Sequence, residues 1–357
     1  MSNSKKHFHT FDAFRFFSFL LVFLHHVPIP ESSFMHFFAN SGGIGVGFFF
    51  VLSGFLITYI LLNEKLAEQR ISLKNFFIRR ILRIWPLFYA MILFAFLTPY
   101  ILEFFHFSSS EKGYNPNWLV SMSFLENYKM MFTNDFPNIS PLRVMWSLCV
   151  EEHFYVIWGI LFFFLPLKKI PYLIGFSILI ANITRIIYYK FGIETLDLFS
   201  NIDYFALGAI PAYIFLVRAE ILNKISLIST TLKQLFLLST LIILFILSNI
   251  QLGIFSILIP TILGALFSIM ILFTLSNTNS IQISDNFLFS RLGKYTYGLY
   301  LYHVIIINLL LQTIHILPFE ISWFAFAAIS LLLTIIISLL SYHLFEKQFL
   351  KLKKYFY

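Results

Sequence analysis

Four ionisable side chains interrupt a stretch otherwise suited to cross a bilayer. From Phe8 to Pro28 the chain reads FHTFDAFRFFSFLLVFLHHVP and carries Asp12, Arg15, His25 and His26. At about 1.5 Å per residue this segment can span the hydrocarbon as one helix. Arg15 and His26 are eleven residues apart. That is nearly a whole number of turns, so they share a face and stand roughly 16 Å apart along the axis. Asp12 precedes Arg15 by three residues and can pair with it. Ionisable groups within a span are costly and are kept mostly where they face a bundle interior or a polar cavity. The stripe is therefore expected to line a reaction chamber inside the membrane. Near the outer end of its helix, His26 suits a general base, because a neutral imidazole can take a proton at neutral pH. The competing reading is an interfacial histidine hydrogen-bonded to a neighbour. His25, turned about 100° away, reads as structural.

Arginines mark a second candidate site. In FFIRRILRIWPLFY, Arg80 and Arg83 are spaced to share a helix face. Guanidinium forks bind phosphate bidentately, so the pair suits a phosphorylated donor arriving from the cytosol. With Arg79 they could equally be a basic anchor on lipid headgroups. Glu151 and Glu152, in MWSLCVEEHFYVIWG, lie roughly 9 Å below the outer surface if that span begins near residue 144. At that depth a carboxylate could orient His26 and stabilise its charged form. One of the two could instead pair with Arg185 for stability alone. Ser147 shares the Glu151 face. Ser53, beside Gly54 in GGIGVGFFFVLSGFLITYI, could narrow a channel or bond its own backbone. Gly42, Gly43, Gly45 and Gly47 suit close helix packing better than phosphate binding, since their spacing fits no phosphate loop. Farther on come Asp203, Gly208 and a mid-membrane His303, whose imidazole needs a partner there. No histidine–carboxylate spacing suits a metal site, so no metal is expected, and no nucleophile elbow is present.

The elements that must position these groups are membrane helices. The 357-residue chain is 59% hydrophobic and only 12% charged, with mean hydropathy +0.82, whereas soluble domains carry about 25% charged residues. The expected architecture is all-α: one polytopic helical bundle over residues 1–357. Ten spans are expected, near 8–28, 44–62, 81–102, 144–165, 170–189, 202–217, 234–250, 254–275, 294–314 and 322–343. Alternating them places 20 of the 25 basic residues, among them Lys5, Lys6, Arg80, Arg83 and Lys353, on the side of the two termini. By the positive-inside rule both termini are then cytoplasmic, and the net charge of +8 reflects topology and not nucleic-acid binding. No cleavable signal peptide is expected, because the first apolar stretch lacks a small-residue cleavage site. The single Cys149 excludes an intrachain disulfide. Between the second and third spans, NEKLAEQRISLKNFFIRRILR reads as an amphipathic interfacial helix. An external connection over about 103–143 is long enough for a lid or acceptor site, and a cytoplasmic tail follows from about 344.

Taken in order, these segments resemble the acyltransferase-3 family of integral membrane acyltransferases, over nearly the whole chain. FDAFRFFSFLLVFLHH is similar to the family's first helix, in which a basic residue precedes a catalytic histidine with ten between, matching Arg15 and His26. FFFVLSGFLIT and FFIRRILRIWPLFY resemble its next two segments, with Arg80 and Arg83 in the R-x-x-R pattern. WSLCVEEHFY puts Glu151 at the family's glutamate, and LGKYTYGLYLYH ends in His303. Cys149 and His153 stand where Ser and Gln are usual. Asn201 occupies a place often held by an arginine, which leaves Asp203 without its expected partner.

The resemblance implies a multi-pass protein of the bacterial inner membrane that moves an acyl group, most often acetyl, from cytosolic acyl-CoA. The acceptor it implies is a hydroxyl of an extracytoplasmic glycan or glycolipid. Arg80 and Arg83, extended by Arg15, would hold the donor phosphates, His26 would act as base and Glu151 would orient it. Asp12, Ser53, Glu152 and His303 would support the site. A transporter or flippase is the rival class, and it predicts inverted repeats with paired broken helices, which the sequence lacks. A bundle whose polar residues only pack helices is the third reading.

Overall fold

Among the described residues ten long helices account for the apolar runs. The computed structural model describes residues 8–107, 112–250, 252–276, 278–314 and 321–356, so the basic residues Lys5 and Lys6 lie outside the described residues. The helices are α1 (His9–His26), α2 (Gly42–Glu68), α3 (Leu73–Phe104), α4 (Trp146–Phe164), α5 (Ile170–Phe191), α6 (Leu198–Val217), α7 (Thr230–Asn249), α8 (Ile259–Leu275), α9 (Thr296–Ile314) and α10 (Trp323–Ser341). Among the described residues nine helices are long and apolar enough to cross a membrane, and they correspond to α2–α10. Helix α1 has 18 residues, but Asp12, Arg15 and its histidines dilute its apolar character. The described residues form no strand, only an isolated bridge between Tyr114 and Pro137.

Side-chain caps explain several starts that hydrophobicity alone places late. Ser72 accepts from the amide of Asn75 at 3.4 Å, Asp197 from that of Ser200 at 2.9 Å and Ser229 from that of Leu232 at 3.3 Å. Each oxygen satisfies one of the amides a helix start leaves open. The separate interfacial helix expected over NEKLAEQRISLKNFFIRRILR is not formed. Its first half continues α2 to Glu68, and its second half is the start of α3. The turn between them passes through Gln69 at φ 61°, and the Glu64 carboxylate accepts from the Ser72 amide at 2.6 Å. The break is thus capped on both sides, and neither half is left to lie on a membrane surface.

Helix α2 is the hub, packed against α1, α4, α6 and α8. Two glycines let α2 and α6 touch backbone to backbone. A Cβ on Gly54 would lie 2.1 Å from the Phe205 carbonyl oxygen, and one on Gly208 would lie 2.0 Å from that of Val51. Without a hydrophobic drive between helices in lipid, such close approach supplies the packing. Gly42, Gly45 and Gly47 likewise face His25, Ser18 and Tyr204, whereas Gly43 has nothing within 4 Å.

The buried seam between α5, α6 and α8 is polar. Arg185 donates to both carboxylate oxygens of Asp203, at 2.9 and 2.7 Å, and Thr261 donates to the same carboxylate at 2.7 Å. The partner that Asp203 lacks on its own helix therefore comes from α5. Arg185 is committed to Asp203 and to neither Glu151 nor Glu152. The connection after α3 folds into short helices, including Glu126–Thr133. There the buried Glu126 carboxylate accepts from Tyr114 at 2.5 Å and from Ser121. Burial, followed by that bond and charge, pushes the pKa of the Tyr114 hydroxyl up.

The tail expected from about 344 is helical. A π-turn over Tyr342–Glu346 leads into Lys347–Leu352 and Lys353–Phe356. The Arg79 guanidinium donates to the Phe356 carbonyl at 2.7 Å, which ties this segment to the start of α3. Phe8 and Lys353 line one vestibule, so the two ends of the described chain meet at the same end of the bundle, called here the terminal end.

Candidate active site

Five helices converge on a cavity that opens at the terminal end. Its vestibule, about 360 Å³, is lined by Asp12 and Arg15 from α1, Arg80 and Arg83 from α3, Lys294, and Glu346 and Lys353 from the final turns. It leads to an inner chamber of about 130 Å³, which shares Arg15, Arg80, Arg83, Lys294 and Tyr297 and adds Ser53, Ser147, Glu151, Tyr155 and Tyr300. Along α2 the chamber wall runs from Ile57 to Val46, about 16 Å of helix. Roughly 150 Å³ holds a benzene-sized guest, so the inner chamber suits a small acyl group while the vestibule suits something larger and anionic.

Local structure fixes the cationic face. Arg80 and Arg83 sit three apart on α3 and turn the same way. Arg15 is held by Asp12 through a short ion pair, and that turn of α1 is pinned because Gly293 abuts the Asp12 carbonyl. Cations thus outnumber carboxylates in the cavity lining, which favours phosphate over a neutral or cationic occupant. Arg15, Arg80, Arg83, Ser53 and Glu151 meet in this chamber, with Asp12 at the edge of the vestibule.

Glu151 does not reach His26. Its carboxylate accepts from Ser53 at 2.9 Å and from Tyr155 at 2.6 Å. Ser53 lies eleven residues below Gly42, whose own level is set by its contact with His25, so Glu151 is roughly 16 Å deep, not 9 Å. The reason is that the turn over Ser140–Arg143 packs against α3 and α9, within the bundle, and α4 starts below the outer end. Glu151 consequently shares the level of Arg15. Glu152 faces another way, accepting from the Trp85 indole at 3.1 Å, while its Oε1 is buried with no hydrogen-bond partner among the described residues.

His26 sits at the far end of α1, half-buried. It does not line the chamber, whose outward end is closed by Val46, Phe49 and Tyr300. Gly45, next to Val46, abuts Ser18 and Val22. The chamber therefore stops about 6 Å, one helical turn, short of His26. Tyr300 is fixed in this septum by Ser147 at 2.7 Å and by the Val144 carbonyl at 3.0 Å, and its ring meets Phe49 edge-on. The continuous tunnel expected between the arginines and His26 is thus interrupted by one aromatic layer. Across that layer, the neighbour of His26 is His303, fully buried, with ring centroids 4.9 Å apart. His25 turns away and bonds the Ala39 carbonyl at 3.0 Å.

Sequence reasoning did not single out Tyr155, Tyr297, Tyr300 or Lys294. The tyrosines had a signal, since Tyr297, Tyr300 and His303 recur every three residues and so share a face of α9. Among the described residues no group of three or more His, Cys, Asp or Glu is placed to hold a metal ion.

A family model described as "Acyltransferase domain" matches residues 8–343. Over 196 residues the chain is 35% identical to the peptidoglycan O-acetyltransferase OatA of Listeria monocytogenes, covering 52% of this chain and 30% of that protein. It is 36% identical over 154 residues to a putative peptidoglycan O-acetyltransferase, YrhL, of Bacillus subtilis, covering 41% and 22%. To the O-acetyltransferase OatA of Staphylococcus aureus it is 27% identical over 231 residues, covering 60% and 36%. The matched stretch therefore amounts to between 22% and 36% of these curated relatives' own length. No solved structure matches the chain.

Proposed function

The chain belongs to the acyltransferase-3 family, and from that premise we propose that it is a membrane O-acyltransferase using acyl-CoA, with acetyl the acyl group, to modify a cell-envelope glycan. The observation that carries this reading is the cavity in which Arg15, Arg80, Arg83 and Lys294 surround Glu151, open at the end of the bundle where the described termini meet. With both termini cytoplasmic, as the basic residues favour, that opening faces the donor. Arg80, Arg83 and the vestibule lysines take the nucleotide phosphates. The thioester enters the inner chamber, and movement of the Phe49–Tyr300 septum brings it to His26.

There the imidazole takes the proton of the acceptor hydroxyl as its oxygen bonds to the thioester carbonyl carbon. The C–S bond then breaks, and the proton passes to the departing thiolate. General-base assistance of this kind contributes roughly a hundredfold to ten-thousandfold. The relatives are named for peptidoglycan, and a muramyl or glucosaminyl hydroxyl is the acceptor class we assign. The purified protein in nanodiscs, given radiolabelled acetyl-CoA and glycan fragments without any ion gradient, should transfer label. His26→Ala should insert normally and transfer none. Retained transfer in that variant would refute the assignment of His26, and label accumulating across sealed vesicles without covalent attachment would favour a transporter.

A further inference from the structure

The environment of His26 fixes which of its nitrogens is basic. Its Nδ1 lies 2.8 Å from the Val22 carbonyl oxygen, one turn back on α1. A carbonyl can only accept, so this nitrogen carries the proton and Nε2 keeps its lone pair. The same logic applies to His303, whose Nδ1 lies 2.6 Å from the Tyr300 carbonyl. Its Nδ1 is therefore the donor, and its Nε2 is an acceptor. That acceptor points at His26, with His303 Nε2 3.4 Å from His26 Nδ1. The two helices thus present complementary tautomers: a donor on α1 shared between Val22 and His303, and a lone pair on α9 aimed at it.

We propose that His303, and not Glu151, is the positioning residue of the His26 base: its Nε2 accepts the Nδ1–H of His26, holding the ring so that Nε2 of His26 meets the acceptor hydroxyl. This rests on His26 being the base, as proposed above. When His26 takes a proton at Nε2, the positive charge spreads to Nδ1–H, and the bond to His303 strengthens with it. Val22 cannot fill this role alone, because its carbonyl belongs to the same helix and does not tie the ring to the rest of the site. His303 is held for the purpose. It is fully buried, braced edge-on by Phe19 at 5.9 Å and flanked by the Tyr300 ring at 5.7 Å. The other titratable groups facing the pair are His25, turned to Ala39, and the Tyr300 hydroxyl, engaged by Ser147 and Val144. Among the described residues no carboxylate faces them.

The test compares His303→Leu, which keeps volume and removes the acceptor, with His303→Gln, which returns an amide oxygen near the same point. Turnover with acetyl-CoA and a glycan fragment should fall about tenfold or more in the leucine variant, with KM for acetyl-CoA unchanged, and recover in the glutamine variant. On the intact protein with ¹⁵N-labelled histidine, the His26 signals are identified by their loss in His26→Ala. They should report Nδ1–H, with a downfield proton that moves upfield in His303→Leu and returns in His303→Gln. Unchanged turnover in the leucine variant, or a glutamine variant as impaired as leucine, would overturn the proposal. So would a wild-type His26 protonated at Nε2, a result that needs no variant of His303 to fold. Transfer retained by His26→Ala would instead refute the assignment of the base, and the NMR signature separates that failure from this one.

Discussion

Replacing Arg83 with glutamine is the sharpest probe of the donor site. Its guanidinium lines both the vestibule and the inner chamber, as Arg80 does, so it stands where a nucleotide phosphate would pause before the thioester goes deeper. A hydrogen bond to a charged group contributes about 1.5–3 kcal/mol, and about 1.4 kcal/mol is tenfold in an equilibrium constant. Arg83→Gln should therefore raise KM for acetyl-CoA roughly tenfold to a hundredfold. The turnover at saturating donor should change much less, because the phosphates do not react and their grip is the same in ground and transition states. Arg80→Ala should behave likewise, and its effect should not simply add to that of Arg83→Gln, since the two share one ligand. The decisive comparison uses acetyl-pantetheine, which has the thioester and arm but no phosphate. With that donor, wild type and Arg83→Gln should have the same KM in a steady-state transfer assay. An equal loss with both donors would mean that Arg83 shapes the bundle and binds no phosphate. An unchanged KM for acetyl-CoA would remove the clamp altogether.

Other consequences are open to measurement. Asp203→Ala leaves the Arg185 guanidinium, 4% exposed, without its counter-charge and should destabilise the bundle by about 3–5 kcal/mol. Thermal unfolding in detergent would register this, and Asp203→Leu with Arg185→Met should recover much of the loss. Gly208→Ala, whose Cβ would meet the Val51 carbonyl at 2.0 Å, should cost about 1–3 kcal/mol in the same assay, whereas Gly43→Ala, with nothing within 4 Å, should cost none. The pKa of the Tyr114 hydroxyl is raised by burial, so its bond to Glu126 contributes fully below about pH 10, the value of an unfolded tyrosine, and weakens as pH climbs past it. Hydrogen-exchange protection over 112–143, referred to the intrinsic rate at each pH, should be steady through neutral pH, fall in alkali, and already be lower at neutral pH in Tyr114→Phe.

The spans and the arginine pair were legible because their signals are local. Long runs of Phe, Ile and Leu mark α2–α10, and the spacing of Arg80 and Arg83 is a property of one helix. Hydropathy places the start of α3 late because it ignores the polar Ser72 that caps it. Asp203 reads as lacking a partner in the sequence because Asn201 stands where an arginine is usual, while Arg185 reaches it from α5. The depth of Glu151 is hidden from residue counting for a related reason. Counting residues from a presumed membrane surface fails when the preceding loop is itself sunk in the bundle. His26 and His303 are 277 positions apart, and neither spacing nor composition joins them; only the packing of α1 against α9 does.

The aromatic layer of Phe49 and Tyr300 has a bearing on the cell as well as on the reaction. A water-filled bore joining both faces of a membrane would dissipate the proton gradient on which the cell runs. With the arginine-lined cavity on one side of a greasy diaphragm and His26 on the other, a thioester can be handed across while the insulator stays whole. Cutting that diaphragm, as in Phe49→Ala, should make proton-loaded vesicles leak, whatever it does to transfer.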